Sequence, residues 1–550
     1  MTFLEEYGTA VLDGKLVAGD KIKRLYERLL QDMACPGQWH FDQDRAKRPI
    51  EFIEAFCRQS QGKIGEPIRL DPFQKALLEA AFGFVDDLEV RRYQEILCII
   101  GRKNGKTTLL AAINLYMLMA DGEGAPECYI IATARDQAMK GFTECCNMVR
   151  QSKIIAKHVR KRQSDLYCRE NLGYIKALAS NVNSLDGLNG HCIVVDELAA
   201  IKNRDVYDLM KQSMSARSQP MLWCITTNGF VRGGIFDSQY DYASGVLDGR
   251  IRDDRFLPVI YELDSRTEWT RPAAWEKANP GLGTIKKRQF LADCVKKAKA
   301  DDGFLPTVLV KDFNLKENAA SAWLTWDALN NTQCFDLARE AFRYGIGGMD
   351  AADSVDLNAA KMICQKRGKP ELYVVQMYWI PERKLEESKN RHHPDDAPYE
   401  QWAARGLLRV VPGNKVNKRV FLDWFLEMRD EKDVYPLYIG YDPWHIDDSL
   451  LLAFEQEFGK NVMIPVRQGT ATLSQPMKDL KADFEAHRII YNDNPIDKYC
   501  LANTYAKTDI NGNVQPDKGR STTHRIDGTA ALLDAYVVLS DKREEYESLI

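Results

Sequence analysis

The sequence predicts an α/β protein with two domains: a parallel sheet covered by helices on both faces, then a second sheet that opens as an antiparallel meander. Three observations predict it. Short apolar runs at Glu95–Ile100, Cys128–Ala132, Tyr174–Leu178, Cys192–Val195 and Met221–Ile225 are bounded by polar or turn residues and separated by helix-like stretches, the pattern of strands buried on both sides. From Tyr344 a second series begins, YGIGGMDA, NAAKMICQ and ELYVVQMYWIP, joined by turns short enough for antiparallel neighbours. A chain of 550 residues is also too long for one ordinary core.

In chain order, residues 1–65 carry apolar side chains at helical spacing, over Lys21–Met33 and Pro49–Arg58, and read as an N-terminal helical segment. Residues 66–315 hold the first strand series with a lid or connector at its end, because the periodicity weakens after about Asn228. Residues 316–343 read as a linker, in which SAWLTWDAL (321–329) forms a helical connector. Residues 344–550 hold the meander, a further strand at YPLYIGYD (435–442) and a closing helix at IDGTAALLDAYVVL (526–539). No internal repeat or low-complexity segment is visible.

Hydrophobic residues make up 45% and charged residues 28%, the balance of a soluble globular protein. No run approaches the roughly 20 apolar residues that span a bilayer, and Met1–Glu6 is acidic where a signal peptide is basic. The 13 cysteines form no C-x2-C pairs, so reduced, buried thiols in a cytoplasmic protein are expected. Lys and Arg number 75 against 79 Asp and Glu. The resulting net charge of −4 neither supports nor excludes a nucleic-acid partner, since positive charge can be confined to one channel.

The most specific motif is GRKNGKTT, Gly101–Thr108, between a predicted strand and a predicted helix, the context a phosphate-binding loop requires. Gly101 and Gly105, with Arg102, Lys103 and Asn104 between them, turn backbone N–H groups toward the phosphates of ATP, and the helix N-terminus adds a favourable dipole. Lys106 is placed to contact the β- and γ-phosphates, and Thr107, followed by Thr108, to ligate Mg²⁺. One departure is the spacing: three residues, not four, separate Gly101 from Gly105-Lys106. Downstream, CIVVDE (192–197) ends an apolar strand in two carboxylates: Asp196 suits the Mg²⁺ shell and Glu197 suits activation of the attacking water. WCITTNG (223–229) ends another strand in Thr226, Thr227 and Asn228, either a phosphate sensor or a strand cap.

Carboxylates recur at three places in the second half: Asp350 ends one strand, Asp442 ends another, and Asp527 opens the last helix. A site for two Mg²⁺ or Mn²⁺ ions needs such oxygen ligands converging. Each also has a bland reading. Asp442 precedes Pro443 and suits a turn; Asp527 suits a helix start; Asp353 and Asp356 read as turn residues, with Asp356 a candidate support for a metal. Asp534 shares the helix face of Asp527, seven residues on, and reads as a supporting residue.

Taken in order, these segments resemble the large terminase subunits of tailed bacteriophages over nearly the whole chain. YGTAVLDGKLVAGDKIKRLYERLLQDM is similar to the family's opening helices. LDPFQ (70–74) is similar to its adenine-contacting motif, with Gln74 in the recognition position, and IATARDQA (131–138) to the segment after the next strand. GRKNGKT matches the family's own shortened, Arg-containing loop, and VVDE and TTNG its acidic and coupling motifs, although the family often has a small residue where Asn228 stands. GGMDAADSVDLNAA, IGYDPWHI and HRIDGTAALLDA resemble its three nuclease motifs. The resemblance implies an RNase H-like second domain with Asp350, Asp442 and Asp527 as metal ligands. It implies an ATPase and endonuclease that packages double-stranded DNA in the host bacterial cytoplasm. Packaging would take place in a pentameric ring docked on the portal protein of a prohead, with a small terminase subunit recruiting the genome end and a lever between the domains. It also implies an arginine finger: Arg102 acting in cis, or Arg204 or Arg217 acting in trans. The alternative, a repair or restriction helicase-nuclease, requires a second RecA-like sheet after Asn228. A scaffold with vestigial sites is disfavoured by the intact Lys106, Asp196, Glu197, Asp350, Asp442 and Asp527.

Overall fold

A computed structural model describes the chain except for residues 133–134, 180–186, 202–203, 231–233, 302, 318–321, 352–356, 390–396, 510 and 520–524. The chain divides into two compact units, Met1–Lys316 and Glu317–Ile550.

Among the described residues, the main sheet of unit 1 has eight strands: β1 Glu95–Ile99, β2 Glu127–Ala132, β3 Val159–Lys161, β4 Asp165–Cys168, β5 Tyr174–Ala179, β6 Gly190–Asp196, β7 Met221–Thr226 and β8 Phe256–Ile260. Their order is β8-β1-β7-β6-β2-β5-β4-β3. The first six of that row are parallel and the last two antiparallel. Ile96 and Cys98 of β1 enter one core and Leu97 and Ile99 the other, so period-2 side chains fill both faces and the strand reads as a continuous apolar run. β8 was not legible as a strand because Pro258 lies inside it. Its position at the edge of the sheet explains why a residue without an N–H is tolerated there.

Four helices precede the sheet: α1 Phe3–Leu12, α2 Asp20–Ala34, α3 Gln43–Phe56 and α4 Pro72–Gly83. α1 starts at a capping box between Thr2 and Glu5, and α4 at one between Asp71 and Gln74 with Pro72 in the first turn. The N-terminal helices are not a separate segment. Leu4, Ile22, Leu25 and Ile53 share one core with Ile113, Val194 and Trp223, because their apolar stripes are covered only by packing on the sheet's helical layer. The helices of that layer and the opposite one are α5 Lys106–Met119, α6 Arg135–Gln151, α7 Arg204–Ser213 and α8 Ile235–Leu247; α9 Arg288–Ala298 and α10 Leu305–Lys311 follow. Among the described residues no second parallel sheet stands between Asn228 and Tyr344, the feature the helicase alternative requires.

Unit 2 has a mixed sheet: β9 Tyr344–Asp350, β10 Asn358–Gln365, β11 Leu372–Pro381, β12 Arg409–Val411, β13 Tyr435–Tyr441, β14 Met463–Pro465 and β15 Ile489–Ile490. The order is β12-β11-β10-β9-β13-β14, with β15 against β11. The expected meander β9-β10-β11 is antiparallel, and β13 adds parallel to β9. Its helices include α11 Arg419–Asp430, α12 Asp448–Phe458, α13 Thr470–Glu485, α14 Pro495–Ala502 and α15 Asp527–Asp541. The expected linker is folded into this unit. Trp323, Leu324, Ala328 and Leu329 are core residues, and the helical turns described there are Trp326–Leu329 and Leu337–Glu340. The Trp323 ring meets Phe484 edge-on at 6.1 Å, so the apolar residues that suggested a connecting helix instead fill space against α13.

Candidate active sites

The first site grows from β1. Ile100 N–H donates to Thr226 O at 3.0 Å, so the chain leaves the sheet in register with β7. The backbone then turns through left-handed conformations at Lys103 (φ 65°) and Gly105 (φ 77°), and α5 begins at Lys106. The glycine at 101 is required by crowding: a Cβ there would lie 2.4 Å from Asn279 Oδ1 and 2.8 Å from Asp312 O. Gly101 N–H donates to Ala278 O at 3.0 Å and Arg102 N–H to Lys311 O at 2.8 Å. Asn104 is buried; its amide donates to Gly101 O (2.9 Å) and Asn279 Oδ1 (3.1 Å), and its carbonyl accepts Gly281 N–H (3.0 Å). Asn279 is in turn fixed by Lys286, whose ammonium lies 2.8 Å from Asn279 Oδ1 and 2.7 Å from Asp312 Oδ1. The loop is therefore pre-shaped by residues far along the chain. Arg102, Lys103 and Thr107 are exposed, and Thr108 sits half-buried in the first turn of α5.

Lys106 donates to Ile100 O at 3.0 Å. Burial pulls its pKa down to about 8, opposed by the negative charge of Asp196. Asp196 is the last residue of β6; burial and the neighbouring Glu197 raise its pKa, and Lys106 works against them. Glu197 follows with a left-handed backbone (φ 56°), its carboxylate accepting from the Gln137 amide. Left-handed geometry at a non-glycine residue is uncommon, and here it carries the exposed Glu197 side chain out of the strand line. Thr226 and Thr227 are buried, and the Thr226 hydroxyl accepts Ala199 N–H at 3.2 Å and donates to Thr227 O at 2.6 Å.

A cavity of about 190 Å³ opens beside the loop, lined by Gln74, Gly105, Thr108, Leu70, Ile285 and Glu144 among others. Gln74 Oε1 accepts Asp71 N–H at 3.0 Å, and its amide nitrogen would lie 3.2 Å from a Cβ at Gly105. Of the two trans-finger candidates, Arg204 is exposed and paired with Asp208 at 2.9 Å. Arg217 is engaged within the unit: it donates to the carbonyls of Asn189, Gly124 and Ala125 and to Glu123.

In unit 2, β9 and β13 run parallel with Gly348 opposite Gly440 and Met349 opposite Tyr441. Asp350 and Asp442 therefore leave neighbouring strands side by side. Asp442 also serves the turn: its Oδ1 accepts Trp444 N–H at 3.1 Å, with His445 Nε2 3.9 Å from Oδ2. α15 lies directly on these strands because Gly348 and Gly440 have no side chains. A Cβ at Gly348 would lie 2.3 Å from Ala531 O, and one at Gly440 2.4 Å from Asp534 O. That approach brings Asp534, expected as a supporting residue, within reach of the charges of Asp350 and Asp442. It is buried, its carboxyl is raised far above the usual range by burial and then by the charges of Asp350 and Asp442, and Gln468 donates to it at 3.1 Å. Asp527 is buried in the first turn of α15, where its charge acts on Tyr378 and Cys500. Asp353 and Asp356 lie outside the described residues. Among the described residues no group of three or more His, Cys, Asp or Glu is already arranged as a metal cage. The oxygen-only donor set of Asp350, Asp442 and Asp534 nevertheless fits hard divalent cations, whose charge would offset the burial and the carboxylate repulsion that raise the Asp534 carboxyl.

A groove of about 600 Å³ is lined by Lys415, Asn417, Lys418, Arg419, Asp447 and Ser449 among others. The Lys418 ammonium donates to His445 O, tying the groove to the Asp442 turn, in which Trp444 stands 83% exposed.

Residues 72–245 match the family described as terminase large subunit, ATPase domain, and residues 250–542 the family described as terminase large subunit, endonuclease domain. The terminase large subunit of Enterobacteria phage HK97 is 28% identical over 508 residues, covering 89% of this chain and 94% of that protein. Protein YmfN of Escherichia coli is 29% identical over 362 residues, 64% of this chain and 77% of its own length. The crystal structure of the HK97 large terminase aligns with 90% of this chain and 99% of its own at 24% identity and a TM-score of 0.47.

Proposed function

The chain belongs to the family of terminase large subunits, with an ATPase domain and an RNase H-like endonuclease domain that serve phage DNA packaging, and from that premise we propose how its residues do so. ATP hydrolysis in unit 1 drives double-stranded DNA into a prohead, and unit 2 cuts the concatemeric genome. The observation that carries this reading is that one chain assembles both a buttressed phosphate loop facing an acidic pair and a carboxylate group on neighbouring strand ends.

In unit 1, Gly101–Gly105 and Lys106 hold the β- and γ-phosphates, Thr107 and Asp196 hold the Mg²⁺ that accompanies ATP, and Glu197 orients the attacking water. The cavity beside Gln74 takes the adenine ring, its apolar wall formed by Leu70 and Ile285. Arg102, exposed on the loop, and Arg204, exposed on α7, are the finger candidates; Arg217 is set aside because its donors are already engaged. In unit 2, Asp350, Asp442 and Asp527 hold Mg²⁺ or Mn²⁺, with Asp534 a fourth carboxylate. When bound there, such ions would supply charge stabilisation at the scissile phosphate and lower the pKa of a bound water. The groove of Lys415, Lys418 and Arg419 guides a DNA backbone past Asp442, concentrating positive charge locally in a chain whose net charge is −4. The small terminase subunit, the portal protein and a pentameric ring complete the working assembly in the host bacterial cytoplasm.

The test is cleavage of supercoiled plasmid by the full chain with EDTA, Mg²⁺ or Mn²⁺, comparing wild type with Asp350→Ala. Metal-dependent cutting lost in the variant is expected. Equal cutting by both proteins, or cutting in EDTA, removes the nuclease assignment.

A further inference from the structure

The strand order of unit 1 places the end of β7 between β1, which feeds the phosphate loop, and β6, which ends at Asp196. A group at that end therefore faces the place where the terminal phosphate of a loop-bound nucleotide must lie. Lys311, the last residue of α10, delivers its ammonium there, 2.7 Å from Asn228 O and 3.2 Å from Thr227 Oγ1.

The position of Lys311 is fixed from both sides. Its carbonyl accepts Arg102 N–H at 2.8 Å, which ties its backbone to the phosphate loop. Three residues on, Asn314 adopts a left-handed backbone (φ 55°) and clasps Asn228. Asn314 Oδ1 accepts Asn228 N–H and Asn314 O accepts the Asn228 amide, both at 3.0 Å, while the Asn314 amide donates to Tyr261 O at 2.7 Å. The Lys311 charge is near enough to weaken the protonation of Lys106. Two ammonium groups thus repel each other across the gap beside Asp196 and Glu197, the carboxylates the nucleotide's metal would engage. A polyphosphate entering the gap relieves that repulsion; a diphosphate, which ends short of β7, relieves it less.

We propose that Lys311 binds the γ-phosphate of ATP, so that this lysine beyond the phosphate loop discriminates the triphosphate from the diphosphate. This rests on the ATPase reading of unit 1. Before binding, the ammonium donates to Asn228 O and Thr227 Oγ1; the γ-phosphate offers it a doubly charged acceptor and so a stronger charge-assisted bond.

The experiment measures binding of fluorescent ATPγS and fluorescent ADP, each with Mg²⁺, to the full chain. In Lys311→Met, affinity for ATPγS is expected to fall tenfold or more while affinity for ADP stays within twofold. Lys311→Arg, which keeps the charge, is expected to restore most of the preference. An equal loss for both nucleotides, or no loss, overturns the proposal, because a structural tie has no means of telling a third phosphate. Lys106→Ala separates this from failure of the premise. If that variant binds both nucleotides like wild type, the phosphate-loop assignment itself falls and Lys311 loses its role with it.

Discussion

Replacing Lys286 with Met tests whether the phosphate loop owes its shape to distant buried polar residues. The Lys286 side chain is 1% exposed and its partner Asp312 12%, at 2.7 Å. Burial lowers the lysine's pKa and Asp312 opposes the shift, so the pair is stable only as a pair. Removing one partner of such a pair leaves the other charge desolvated, at a cost of about 3–5 kcal/mol. Against a domain stability of about 5–15 kcal/mol, Lys286→Met removes a large share. The loss is local first, because Asn279 Oδ1 also surrenders a donor and Asn279 is what Asn104 grips. The assay is amide hydrogen exchange of the full chain, followed on peptides covering residues 99–108, where Gly101 and Arg102 donate to Ala278 and Lys311. Exchange there is expected to speed up by roughly two to four orders of magnitude, the rate equivalent of that free energy. Lys286→Met combined with Asp312→Leu is expected to recover most of the protection, since replacing both charges by apolar groups is close to neutral. The reasoning is refuted if the single variant exchanges within threefold of wild type, or if the double variant is worse than either single.

Three other predictions follow from separate features. Lys106→Ala lowers ATP hydrolysis by about 10²–10³-fold, the scale of losing one preorganised phosphate donor, and leaves metal-dependent cleavage by the same full chain near wild type; retained hydrolysis would remove the loop assignment. Glu79 is fully buried with Leu4 N–H donating to it at 2.6 Å, and burial raises its pKa against that hydrogen bond. A carboxyl raised in the folded state binds more protons there than in the unfolded chain, so its contribution to stability declines as pH rises from about 4.3 through the folded value. Glu79→Gln is expected to flatten that decline, read as a smaller difference in melting temperature between pH 4.5 and pH 8 than in wild type. Lys415→Glu with Arg419→Glu, both exposed, is expected to raise the DNA concentration for half-maximal cleavage at least tenfold and to reduce the salt slope of binding by about 2, with unchanged melting; an unaltered slope would show that the groove does not carry DNA.

What the sequence determined by itself is what short spans of chain determine. GRKNGKTT lies between an apolar run and a helical one, and the structure has a strand, a left-handed turn and a helix there, because the glycines and the following helix formers decide the backbone locally. The strand ends at Asp196, Asp350 and Asp442 were legible for the same reason: a period-2 apolar run stops where a carboxylate begins. The tertiary structure decided what surrounds them. Asn279 meets Asn104 across 175 residues of chain, and Lys311 and Asn314 reach Asn228 across more than 80. Hydrogen bonds of that separation leave no local periodicity to read. That Asp534 stands near Asp350 and Asp442 was decided by Gly348 and Gly440, which let α15 settle onto β9 and β13. Trp323 and Leu329 suggested a connector because the side chains that bury them, Phe484 and Tyr491, lie more than 150 residues further on. Residue type announces chemistry wherever backbone geometry is set nearby, but which groups share a site depends on packing between distant elements, and only the folded chain supplies that.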